Sequence, residues 1–181
     1  MDQTLINEIR TMPKDLDHIP EIAKKIIDDL KTKEFPIPII KIMKELDFLV
    51  GQQELKDELS GYIVISDEVI KKFGKRKMIC VNSKDSLGHQ RFTIAHELGH
   101  YLFDYPNQMS EFYNTYKTDD ADSEKEKRAN RFAAELLMPK EEFLKQYNKF
   151  AESTQIILNL ADYFQVSTRA VDRRFIELGL N

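Results

Sequence analysis

Apolar residues recur at helical spacing in the first part of the chain. Isoleucine and leucine follow this spacing from about Ile19 to Lys33, which predicts an amphipathic helix with one inward face. Pro36 and Pro38 interrupt the pattern, and a second helix ending near Leu46 is predicted to follow them. Both helices are interpreted as scaffold.

Short apolar runs with the period of a strand come next. They cover residues 48–50, 61–65 and 77–81 and are separated by polar or glycine-containing turns. The pattern predicts a small, mainly antiparallel three-stranded sheet. Five lysine and arginine residues between 71 and 77 surround Gly74, and we interpret them as a solvated hairpin tip rather than a phosphate or DNA site. Cys80 is expected to be a buried strand residue.

A longer helix is predicted from about Ser86 to Phe103. Phe92, Ala95, Leu98, Leu102 and Phe103 recur on one side of it, Ser83, Asp85 and Ser86 offer N-caps, and Pro106 lies just beyond its end. Gly99 inside this helix costs about 1 kcal/mol relative to alanine. Close approach of another element would explain that glycine.

This helix contains an H-E-x-x-H motif from His96 to His100. The two histidines are four positions apart, so both imidazoles project from one face and can meet a single zinc ion. Glu97 is the residue after His96 on the helix, and it can act as a general base for a water molecule bound to the ion. A catalytic zinc site also needs a third protein ligand.

The next predicted helix, from Glu124 to Met138, offers that ligand. Glu126 and Asn130 share a face with two alanines, so the face can pack closely on the metal helix. Asn130 is then placed to hydrogen-bond a ligand. The alternative for Glu126 is a capping box with Ser123, in which the glutamate serves only its own helix, and the spacing favours neither interpretation.

Other charged and polar residues near the motif have weaker signals. Glu124 and Glu135 lie on other faces of their helix and are expected to be solvated. His89 and Tyr101 are candidates for oxyanion or substrate contacts, as are the tyrosines between residues 104 and 122. That polar and aromatic stretch is interpreted as a loop over the cleft or as a plain surface connection.

The last thirty residues predict a helical pair that resembles a helix-turn-helix. One helix runs from Ile156 to Phe164 and the other ends at Gly179. Its arginines, Arg169, Arg173 and Arg174, would be the phosphate or base contacts of a DNA reader. Acidic residues share the helix and the chain is acidic, so packing or partner docking is favoured over DNA binding.

Composition narrows the class of protein. The chain has 181 residues, 41% hydrophobic and 32% charged, with a net charge of −4, which is typical of a globular domain and argues against general nucleic-acid binding. A single cysteine excludes an internal disulfide and a cysteine-based zinc cluster. No signal peptide or membrane span is recognisable, so a cytoplasmic protein is expected.

Two blocks of the sequence, from Arg91 to His100 and from Glu126 to Pro139, resemble the ImmA/IrrE family of bacterial zinc metallopeptidases. The resemblance implies that Glu126 completes a zinc site with His96 and His100, and that Glu97 is the base. It also implies a protein substrate, a helix-turn-helix repressor whose cleavage switches on mobile-element or stress-response genes.

The expected fold is α+β: a mostly helical, zincin-like metallopeptidase domain over residues 1–150, with a small sheet beside the metal helix and a C-terminal helical extension over 151–181. Two other functions stay open. In the first of these functions, the chain would act as a toxin-like or regulatory protein that binds a helix-turn-helix partner without cutting it. In the other, the C-terminal helices would bind DNA.

Overall fold

Helices form most of the chain that the structure describes. The computed structural model describes residues 3–30, 34–105, 111–117 and 123–180. The helices in these ranges are α1 (Gln3–Thr11), α2 (Ile19–Asp29), α3 (Ile39–Glu45), α4 (Asp67–Phe73), α5 (Leu87–Phe103), α6 (Glu124–Leu137), α7 (Lys140–Lys149), α8 (Ile156–Phe164) and α9 (Thr168–Leu178).

One mixed sheet lies beside these helices. Its strands are β1 (Phe48–Gln53), β2 (Leu59–Ile65), β3 (Lys77–Asn82) and β4 (Phe112–Lys117), in the order β1-β3-β2-β4. β2 is antiparallel to both β3 and β4, whereas β1 is parallel to β3. The α+β class is confirmed, and two of the three strand pairs are antiparallel. The predicted number of three strands was wrong, because the sheet has four in the described ranges, and the β1–β3 pair is parallel. Buried Cys80 lies on β3, as predicted.

The fourth strand lies in the stretch that was predicted to be a loop. Phe112 begins it, and it pairs with β2 from Leu59 to Ile65. Its residues are mostly aromatic and polar, so they lack the apolar alternation that marks a strand in sequence. Residues 106–110 and 118–122 of the predicted loop, including Pro106, lie outside the described residues.

The basic residues around Gly74 belong to a helix end, so the hairpin-tip prediction was wrong. The Ser66 hydroxyl accepts a hydrogen bond from the Val69 amide at the start of α4, and Gly74 ends the helix with a φ of 73°. Lys71 and Lys72 occupy the last turn, where positive charge is favourable. A helix of seven residues is too short for its periodicity to stand out in sequence.

The other predicted helices are confirmed with small shifts. α2 ends at Asp29, and residues 31–33, which were predicted to continue it, lie outside the described residues. α5 begins after Ser86, whose hydroxyl accepts a hydrogen bond from the His89 amide. α1 had no counterpart among the predictions.

Gly99 marks the place where α6 packs on α5. A Cβ at Gly99 would lie 3.1 Å from the Ala129 Cα and 3.3 Å from the Phe132 ring. A larger side chain would push the two helices apart. The predicted reason for this glycine is therefore confirmed, and the close approach brings the start of α6 to the two histidines.

Gly88 marks a second close approach, at the other end of α5. A Cβ there would lie 2.5 Å from the carbonyl carbon of Val166 and 2.7 Å from the Ser167 nitrogen. Arg91 Nε also donates to the Gln165 carbonyl oxygen at 3.0 Å. The turn between α8 and α9 is thus held against the metal helix.

Two cations from the N-terminal part of the chain bind the last turn of α5. Arg10 donates to the Tyr101 carbonyl oxygen at 3.1 Å, and Lys14 Nζ donates to that of Phe103, also at 3.1 Å. These carbonyls have no partner within a helix, and cations there oppose the negative end of the helix dipole. The apolar faces of α1 and α2, including Ile6 and Ile22, are fully buried in the same core.

A buried ion-pair network joins α6 to α9. Arg174 Nη1 and Nη2 lie 2.9 and 2.7 Å from the two Glu135 carboxylate oxygens, and both side chains are almost fully buried. Arg131 and Glu177 extend the network. Glu135 was predicted to be solvated, which was wrong, and Arg174 is a structural cation rather than an exposed DNA contact. The domain division after residue 150 stays a prediction, and helices on both sides of it share one apolar core.

Candidate metal centre

Three side chains from two helices converge at one point. His96 and His100 project from one face of α5 with their Nε2 atoms 3.0 Å apart. The two Glu126 oxygens, from the first turn of α6, lie 3.1 Å from the Nε2 atoms of His96 and His100 respectively. One donor atom from each residue falls within 4.8 Å of the others.

This donor set fits a catalytic zinc ion. Two imidazole nitrogens and one carboxylate are a common set of three protein ligands, and they leave a fourth position for water or substrate. Ligand atoms about 2.0–2.1 Å from a tetrahedral zinc lie about 3.3 Å apart. The separations of 3.0 and 3.1 Å are therefore close to what the ion requires.

The other ring nitrogen of each histidine has its own partner. His96 Nδ1 lies 3.0 Å from Asn130 Oδ1, and His100 Nδ1 lies 2.7 Å from Asp104 Oδ2. Since these oxygens accept from Nδ1–H, both Nε2 lone pairs face the site. Arg128 Nη2 donates to Asp104 Oδ1 at 2.8 Å, so α6 also holds the acid that orients His100.

Glu126 does not form the reciprocal capping box. The Ser123 hydroxyl accepts from the Glu126 amide at 3.2 Å, so the serine caps α6. The Glu126 carboxylate reaches the two histidines instead. The segment from Ser123 to Glu126 thus caps the start of α6 and also supplies the Glu126 carboxylate to the site.

Glu97 is completely buried next to this cluster. Neither of its carboxylate oxygens has a hydrogen-bond partner within the described residues. Burial raises the pKa of Glu97 to about 8. The nearby positive charge of His100 and the amide of Asn114 lower this pKa, but their effect is smaller than that of burial. A carboxyl group whose pKa lies near neutrality is well matched to taking up and returning a proton.

The metal-free site carries an internal ion pair. Burial lowers the pKa of His100, but the hydrogen bonds that its ring donates to the Asp104 and Glu126 carboxylates outweigh this effect and raise the pKa to about 9. Burial likewise opposes charge on Glu126, but the two histidines bring its pKa down to about 2. Burial lowers the pKa of His96. Without a metal ion, these shifts favour a proton on His100 and another on Glu97 near neutral pH.

Zinc binding is expected to release those protons. His100 Nε2 must lose its proton to bind a cation, and a nearby divalent charge favours ionised Glu97. The apparent zinc affinity should therefore rise about ten- to a hundredfold per pH unit between about pH 6 and 8, and level off above about pH 9. Competition with a chelator across this pH range measures the apparent zinc affinity. An affinity that does not change with pH would contradict the assignment of His100 as a zinc ligand.

The control for that experiment is Asp104→Asn. The substitution removes the carboxylate that raises the pKa of His100, so the pH dependence should move to lower pH. Loss of an orienting partner of this kind also weakens metal binding by about 10–100-fold.

Two other sequence candidates, His89 and Tyr101, contact residues other than the three converging side chains. His89 Nε2 is 2.9 Å from the Ser60 hydroxyl and 3.6 Å from an Asp85 carboxylate oxygen. The Tyr101 ring packs on Phe48, with the ring centroids 5.1 Å apart, and Arg10 lies over it. The structure thus brings together His96, Glu97, His100, Glu126 and Asn130, but not His89 or Tyr101.

Three residues of the site were not found from the sequence. Asp104 and Arg128 orient His100, and Asn114 on β4 faces Glu97. The position of Asp104, four residues after His100, was a signal that the sequence offered. Asn114 gave none, because its strand was not predicted.

A cleft of about 410 Å³ borders the site. It lies between the first half of α5, α6 and α9, and its walls include Phe92, Ala134 and Ala170. Asn130, which binds His96, also lines it, and so do Arg169 and Arg173. The cleft therefore joins the surroundings of the metal ligands to the C-terminal helical pair.

The structure thus combines a helical fold, a small mixed sheet and a possible metal site of two histidines and one carboxylate. A family match identifies the domain that carries them as a metallopeptidase domain. The chain belongs to the IrrE N-terminal-like domain family (Peptidase_M78), whose model matches residues 44–175. This match confirms the resemblance to the ImmA/IrrE family. Among curated proteins, none matches the chain. No helix in the described ranges has the length and apolar character needed to cross a membrane.

Proposed function

We propose that this protein is a zinc-dependent endopeptidase that cuts a helix-turn-helix repressor in the cytoplasm. The observation that carries the proposal is the convergence of His96, His100 and Glu126 beside the buried Glu97 carboxyl group. A metal site with three protein ligands and a neighbouring unpaired carboxyl group is the machinery of peptide hydrolysis.

Each residue has a defined task in that reaction. His96 and His100, oriented by Asn130 and Asp104, hold the ion together with Glu126. Zinc supplies Lewis acidity, which makes water a nucleophile near neutral pH and polarises the peptide carbonyl. Glu97 takes a proton from the attacking water and passes it to the leaving amine nitrogen, so its carboxyl group ends the cycle as it began.

The sheet offers a place for an extended substrate. Within the described residues, β4 is an edge strand of the sheet, and it packs near α5. A peptide can add to such an edge through main-chain hydrogen bonds. The repressor substrate, and the derepression of mobile-element or stress-response genes that follows its cleavage, come from the family resemblance.

The test starts with zinc content. Protein purified without chelators should hold about one zinc per chain, and His96→Ala and Glu126→Ala should lose or weaken that binding, because each removes a ligand. Helix-turn-helix regulators encoded beside the gene are then incubated with the protein, with and without a chelator. Chelator-sensitive cleavage at one site is the expected result.

The matched control is Glu124→Ala, in the same helical turn as Glu126. Glu124 is 76% exposed and pairs with Lys127, so its loss should leave zinc content unchanged. A wild-type protein that takes up no zinc after reconstitution, or cuts the regulator equally well with the chelator, would refute the proposal.

The second candidate function is binding of a helix-turn-helix partner without cleavage. The cleft beside α9 favours it, because its apolar walls and exposed arginines could hold a partner independently of the metal. This function requires that Glu97→Gln leave the biological activity intact, whereas a peptidase loses cleavage and still binds its substrate.

A further inference from the structure

An unsatisfied hydrogen-bond donor faces the general base. Asn114 Nδ2 and both Glu97 carboxylate oxygens are buried, and none of the three atoms makes a hydrogen bond of good geometry within the described residues. The Asn114 amide nevertheless lies close enough to the Glu97 carboxylate to lower the pKa of that group. A buried donor left unpaired destabilises the folded state, so native structures rarely retain one without a role. Three such atoms together indicate a site shaped for something that binds between them.

The strand geometry directs Asn114 toward the metal helix. Side chains alternate between the two faces of a strand. Phe112 packs on Tyr105, which follows α5, with ring centroids 5.4 Å apart. Tyr113 is 63% exposed and packs instead on Tyr62 of β2. Asn114 therefore shares the helix-facing side of β4 with Phe112.

Three donors proposed from sequence, Tyr113, Tyr101 and His89, do not face Glu97 in the structure. Tyr113 lies on the opposite face of the sheet, Tyr101 packs on Phe48, and His89 lies beside Ser60. Asn114 is on the edge strand along which an extended substrate would lie, at the position of that strand that faces Glu97.

We propose that Asn114 Nδ2 donates a hydrogen bond to the carbonyl oxygen of the peptide bond that is cut. The inference rests on the proposed peptidase function. As water adds to the carbonyl carbon, the carbonyl π electrons move to the oxygen, and a donor at that oxygen becomes more favourable as its negative charge grows. Asn114 keeps its proton throughout, while Glu97 carries the transferred one.

The test uses zinc-loaded protein and acetyl-leucine hydroxamate, a probe whose carbonyl oxygen stands for that of the substrate. Asn114→Ala and Asn114→Leu should each weaken hydroxamate binding about tenfold, since each removes one hydrogen bond and leucine preserves the volume. Tyr113→Phe, a change on the opposite face of the same strand, should bind as wild type does. Calorimetry measures the affinity, and zinc content and melting temperature verify that the site is intact.

Cleavage kinetics give the second readout. With a peptide spanning the cleaved site of the regulator, Asn114→Ala should lower kcat by about 10²–10³ and change KM much less. Unchanged hydroxamate affinity and unchanged kcat in both Asn114 variants would overturn the inference. Weakened hydroxamate binding in a protein that cuts no peptide would support the contact at Asn114 and refute the peptidase function instead.

Discussion

Glu97→Gln is expected to lower kcat by about 10²–10⁴ without loss of zinc, because the substitution removes the proton acceptor and keeps the size of the side chain. Glu97 is not among the three converging ligands, so the ion should remain. The variant should also bind its substrate as tightly as the wild type does, because a base that acts in the chemical step contributes little to ground-state binding. Steady-state kinetics, zinc analysis and a binding assay on one preparation separate the three effects.

Glu124→Gln is the control for that change, since it is the same substitution at an exposed position. It should match the wild type in all three assays. A Glu97→Gln protein that still cuts at more than one tenth of the wild-type rate would remove Glu97 from the chemistry. A variant that loses zinc would instead place the side chain among the ligands.

The second large effect is expected at the ion pair between α6 and α9. Glu135→Ala removes the two-point partner of the buried Arg174 guanidinium and, among the described residues, leaves it only Glu177. Arg174→Ala likewise leaves the buried Glu135 carboxylate only Arg131. Removing one member of a buried pair costs about 3–5 kcal/mol. Urea denaturation should show this loss in the free energy of unfolding. In hydrogen exchange, the C-terminal helices should be the first part of the chain to lose protection.

Two further variants test the cause of that loss. Arg173→Ala changes an exposed neighbour of Arg174 and should shift the free energy of unfolding by no more than about 0.5 kcal/mol. The double variant Glu135→Leu with Arg174→Met leaves no unpaired charge, so it should be more stable than either single variant. If the single variants unfold like wild type, the network does not anchor α9.

The candidate metal ligands on α5 were predictable because their relation is local. Four residues of helix fix the direction of His96 and His100, whatever the rest of the chain does. Gly99 was informative for a related reason, since a costly residue inside a helix indicates crowding. The role of Glu126 was harder to predict, because it depends on a contact between two helices. Local spacing could not choose between a capping role and a metal-binding role, and the structure shows Ser123 doing the capping while the Glu126 carboxylate faces the histidines.

The missed parts depend on contacts between distant segments. The parallel β1–β3 pair places a strand between two that are neighbours in sequence, and no local pattern encodes that order. Asn114 reaches the site only because β4 pairs with β2. Glu135 and Arg174 lie 39 residues apart, and each taken alone has the appearance of an ordinary surface charge.

The N-terminal helices have a practical consequence for anyone who trims the chain. The family match begins at residue 44, after α1 and α2. Yet α2 packs along α6, and Arg10 and Lys14 hold the last turn of the metal helix. A fragment cut at that boundary would expose an apolar surface of the helix that carries Glu126. The segment that identifies the family is therefore smaller than the segment that packs into one core.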